Sequence, residues 1–70
     1  MMDIKILRQL WSIIESTPGQ RISSLDDSAI VQWLTDLLQA DPTFDSESLP
    51  TVSHYIRARM PLIRDLAQQA

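Results

Sequence analysis

Apolar residues recur along this chain at helical spacing in three stretches. In the first, Ile4, Leu7, Trp11 and Ile14 follow one another at intervals of three, four and three, the rhythm of one face of a helix. The predicted helix runs from about Asp3 to Glu15, with Asp3 as its cap and Thr17-Pro18-Gly19 as its end. Ile6, Leu10 and Ile13 widen its apolar surface to roughly half the circumference at 100° per residue.

A second helix is predicted to start within Ser24–Asp27 and to end near Gln39 or Ala40. Two starts compete: Ser24 as cap with Asp27 three residues on, or Asp26 as cap with Leu25 and Ile30 as a hydrophobic staple. Either start sets acidic side chains against the positive end of the helix dipole. Ile30, Trp33, Leu34, Leu37 and Leu38 form the expected inward stripe, which Val31 broadens. Asp41-Pro42 stops the helix. The loop that follows, over residues 41–48, holds one apolar side chain, Phe44, placed to plug the end of a core or to anchor another protein.

The third stretch begins around Ser48 to Thr51, with Pro50 suited to a first helical turn. Val52, Tyr55, Ile56, Met60, Ile63, Leu66 and Ala67 keep helical phase through Pro61. One bent helix, or two short helices meeting near Arg59 to Pro61, is therefore expected. The pattern as a whole predicts an all-α fold, a small three-helix bundle with the third helix bent or split near Pro61, giving three to four helices in a single domain over residues 1–70.

Composition agrees with helices. Glycine occurs once, at Gly19, which disfavours a fold built from many hairpin turns. Cysteine is absent, so disulfides, thiolate catalysis and thiolate zinc sites are excluded. No apolar run approaches the length of a membrane span, and residues 1–14 lack the form of a signal peptide; the expected location is cytoplasmic.

The net charge of −3 is unevenly spread. Lys5, Arg8 and Arg21 stand against two acids in residues 1–21, residues 22–50 hold six acids and no base, and Arg57, Arg59 and Arg64 stand against Asp65 beyond them. An acidic second helix beside a basic third one is the simplest arrangement.

Little in the sequence carries chemistry. His54 is the one histidine, and no second imidazole or clustered carboxylate accompanies it on its helix, so neither a metal nor a catalytic role is assigned. Asp41, Asp45 and Glu47 lack the glycine centre and ligand spacing of a calcium loop. One glycine cannot build a phosphate-binding loop. No enzyme activity, cofactor or small-molecule substrate is expected.

Two surfaces remain. Arg57 and Arg64, with His54, form a short basic stripe that could meet nucleic acid, or could pair with Asp27 or Asp36 across the helices. Arg59 falls inside the apolar stripe, where its stem would cover the core edge and its guanidinium reach Asp36, Asp41 or Glu47, or else meet another protein. The surplus apolar surface of the first helix, Ile6, Leu10 and Ile13, defines the expected interface, to which Val31 of the second helix and Arg59 of the third stretch are added as candidates. The sequence thus favours a small helical protein-interaction or regulatory module that binds another protein or a second copy of itself, over a nucleic-acid-associated protein.

Overall fold

The computed structural model describes residues 4–69. Asp3, the expected cap of the first helix, lies outside the described residues. Five α-helices occur among them: α1, Ile4–Ser16; α2, Gly19–Ser23; α3, Asp27–Gln39; α4, Leu49–Ala58; and α5, Met60–Gln69. A 3₁₀ turn, Ser46–Ser48, runs directly into α4. The fold is all-α as the pattern predicts, but the expectation of a three-helix bundle of three to four helices is corrected to five.

The extra helix is α2, in the segment read as a plain connection. Hydroxyls finish α1: Ser16 Oγ donates to the Ser12 carbonyl at 2.8 Å and Thr17 Oγ1 to that of Ile13 at 2.7 Å. Pro18 then occupies the cap position of a new helix, with its carbonyl accepting from the Arg21 amide at 3.0 Å. The helix lasts five residues and buries Ile22 almost completely. So short a helix has little stability alone and forms because it packs on α5. Gly19 makes that approach close enough: a Cβ at this position would overlap the Ala67 carbonyl oxygen and stand 2.9 Å from the carbonyl carbon. Its φ is not positive, so glycine is needed here for proximity and not for backbone freedom.

Asp26 caps α3, accepting the Ala29 amide at 2.8 Å, which selects the later of the two competing starts. Arg59 closes α4 with its amide shared between the carbonyls of Tyr55 and Ile56, and the Ile63 amide bonds back to the Arg59 carbonyl. Pro61 lies in the first turn of α5, where a missing N–H leaves no intrahelical bond unmade. The third stretch is therefore two helices.

The core joins Leu10 of α1, Ile22 of α2, Ile30, Leu34 and Leu38 of α3, Val52 and Ile56 of α4, and Ile63 of α5, all essentially without solvent exposure. α3 packs against both α1 and α4, and α2 against α5. Phe44 is half-buried against this core, as a plug would be. Thr35 is its one buried polar side chain among the described residues, and its hydroxyl is satisfied by the carbonyls of Val31 and Gln32.

The inward face of α1 differs from the expected one. Ile6, Leu10 and Ile14 are buried, Leu7 and Trp11 only partly so, and Ile4 is 68% exposed. Trp11 turns towards α4, where its indole N–H donates to the Tyr55 hydroxyl at 3.1 Å and the two rings meet edge to face at 85°.

Candidate functional site

With Ile6, Leu10 and Val31 inside the chain's own core, the surface between α1 and α3 is left to other residues. α1 runs antiparallel to α3: Gln9 reaches Asp41 just past the end of α3, and Lys5 reaches Thr43 beyond it. Between the two helices lies an open cleft of about 380 Å³. Its apolar walls are Ile13, Leu37 and Leu38, and Arg8, Gln9, Ser12 and Asp41 supply its polar rim. Leu37 is 40% exposed although it lies in the stripe read as inward-facing. One turn earlier on α3, Trp33 is half-buried, and the Arg21 guanidinium of α2 lies 5.5 Å from its ring centroid.

The Asp41 end of the cleft is held by a compact polar knot. Asp41 Oδ1 accepts the Thr43 amide at 2.9 Å and the Thr43 hydroxyl at 2.8 Å, and Oδ2 accepts the Gln9 amide group. These donors favour the ionised carboxylate and hold its pKa down at about 2, with the Thr43 amide contributing most. A carboxyl whose pKa is lowered by folding stabilises the fold above its unfolded value near 3.8 and loses that contribution as pH falls towards 2. Acid melts should therefore show wild-type protein losing more thermal stability between pH 4 and pH 2 than Asp41→Asn. Parallel curves for the two would show that the knot does not couple folding to protonation.

A second, smaller cleft of about 200 Å³ lies where α1 meets α2 and α5, lined by Ile14, Glu15, Ile22 and Leu66 among others. Leu66 and Leu62, one turn apart on α5, are 38% and 46% exposed. Arg59 is exposed, with its guanidinium 5.4 Å from the Tyr55 ring centroid; it leaves the apolar stripe because the helix breaks at this residue.

The remaining sequence-predicted residues are not gathered into one place. Ile13 is half-buried in the α1–α3 cleft and Arg59 lies by Tyr55 on α4. His54 and Arg57 are exposed on α4. Arg64 is committed to the fold: Nε and Nη2 both donate to Asp27 Oδ1, at 3.0 and 2.6 Å, and Nη2 also donates to the Leu25 carbonyl at 2.9 Å. That is the cross-helix pairing the charge distribution suggested, and it withdraws Arg64 from the basic stripe. Among the described residues, no three His, Cys, Asp or Glu side chains form a group able to hold a metal ion, and no helix is long and apolar enough to cross a membrane.

Sequence reasoning missed Leu37, Trp33 and Arg8 as surface features. The available signal was the breadth of the α3 stripe, which puts Trp33 and Leu37 together on one edge of it. Fold and clefts together define a small all-α domain of five helices with an open, partly apolar groove between α1 and α3. No protein-family description, curated protein or solved structure matches the chain.

Proposed function

We propose that this chain is a small helical protein-interaction or regulatory module, whose activity is docking rather than chemistry, and that the α1–α3 groove is its docking site. The observation that carries the reading is the exposure of Leu37 beside Ile13 in a cleft framed by Arg8 and, one turn away, by Trp33 under Arg21. Exposed apolar surface framed by tryptophan and arginine is the composition in which interface energy concentrates. Loss of Arg64 to the fold leaves Arg57 and His54 as a thin basis for phosphate contact, so docking to protein is favoured over nucleic acid.

Site-specific photo-crosslinking in producing cells tests this. A crosslinking residue at position 37 should give a discrete adduct that one at the exposed, outward Gln32 does not, and Trp33→Asp should remove it. Equal adducts from both positions, or none from position 37, would exclude docking through this groove.

A further inference from the structure

We infer that α5 is an exchangeable arm: its seat on α2 accepts the α5 of a second copy of this chain, and Pro61 is the residue that holds the chain closed as a monomer.

The sequence around the joint favours helix at every position but one. Ala58, Arg59, Met60 and Leu62 all stand high in helix propensity. The buried residues Val52, Ile56, Met60, Ile63 and Ala67 follow one another at spacings of four, four, three and four, so their apolar face runs on through the break. Only Arg59 separates the two helices, with φ −100° and ψ 7°, where a helix holds ψ at about −42°. What opposes continuity is Pro61. In one helix over residues 49–69 it would leave the Arg57 carbonyl without its donor and press its ring against that carbonyl. In the first turn of α5 it does neither.

The contacts that hold α5 are made with parts of the chain distant in sequence. It packs chiefly on α2, where the Gly19 backbone lies against the Ala67 carbonyl and Ile22 is buried. Arg64 ties it to the start of α3, donating to Asp27 at 2.6 Å and to the Leu25 carbonyl at 2.9 Å. None of these contacts depends on the peptide link through Arg59, so the α5 of another copy can make them all. α4 is held on α3, and a turn of about 50° in ψ at Arg59 swings α5 about the joint. That motion lifts Ala67, eight residues on, out of its backbone contact with Gly19 and presents α5 to the seat of a neighbour. The neighbour's α5 returns the exchange, and the closed dimer keeps the core of each copy while changing only the joint. With so short a connection, one residue decides between the bent and the straight form.

Sedimentation equilibrium on the intact chain and on Pro61→Ala reads the first consequence. The wild type should remain a monomer through the micromolar range, and Pro61→Ala should approach twice the monomer mass. Charge reversal then tells exchange from any other dimer. In the Pro61→Ala background, Asp27→Arg alone and Arg64→Asp alone each set like charges at the seat. Refolded together from urea, the two variants restore opposite charges at both seats of a heterodimer. Native mass spectrometry should find that heterodimer about tenfold over a statistical mixture. A monomeric Pro61→Ala, or one that fails to fold, would overturn the proposal, because the exchanged dimer keeps every core contact. So would a statistical mixture, which would mean that the copies meet through another surface. A wild type already dimeric would overturn it as well, since Pro61 would then have nothing to prevent.

Discussion

Leu10→Asp should abolish folding. Leu10 has no solvent exposure and sits in the middle of the α1 face that meets α3. Removing its side chain costs about 2–5 kcal/mol in lost burial and residual cavity, and an unpaired carboxylate in the same place adds several more. A chain of this length has a total stability of roughly 4–10 kcal/mol, so the two losses together consume it. Circular dichroism and urea titration read the outcome directly. Leu37→Asp is the matched control: the same chemical change at a 40% exposed position should leave the melting transition nearly in place. A folded, cooperative Leu10→Asp monomer would return this residue to the surface and dismantle the packing described for α1.

Gly19→Ala should destabilise the protein, against the sign that helix propensity alone gives. Within a helix, glycine to alanine is worth up to about 1 kcal/mol in the stabilising direction. Here the added methyl meets backbone, the carbonyl of Ala67, and backbone cannot rotate away as a flexible side chain would. Either α2 or α5 must shift, which loosens Ile22 and Ile63 together. Overpacking of this kind costs about 1–3 kcal/mol, and in a domain this small each kilocalorie lowers Tm by roughly 4–8 °C. A rise in Tm would mean that α2 is not held against α5 at the distance described. Shortening the opposing side chain would not rescue the variant, because the clash is with main chain.

These two positions also mark where sequence reasoning stops. α1 is apolar on both sides of its axis, and Ile4-Leu7-Trp11 satisfies helical spacing as well as Ile6-Leu10-Ile14 does. What chooses between them is tertiary: Gln9 and Lys5 face the end of α3, which turns Leu10 inward, and Trp11 finds the Tyr55 hydroxyl. Helices of usual length were legible from their periodicity and caps, including the break near Pro61. α2 was not, because five residues carry too little pattern, and the Pro-Gly pair that opens it reads equally well as the end of α1. The groove was half legible. Surplus apolar surface showed in the sequence, but its members changed once α1 was rotated, and Leu37 and Trp33 came to the edge while Ile6, Leu10 and Val31 went inside. The polar groups at its rim, Arg8 of α1 and Asp41 past the end of α3, are brought together only by the fold.

The contact between α2 and α5 also sets an order in time. Its two sides, Gly19 and Ala67, are separated by most of the chain, and a five-residue helix has no means of persisting before its counterpart exists. As the protein is synthesised, α1, α3 and α4 can begin to collapse around Leu10, Leu34 and Ile56, but Ile22 must stay exposed to water until the chain up to Ala67 has left the ribosome. For this domain, the core cannot close over Ile22 before its last helix is available.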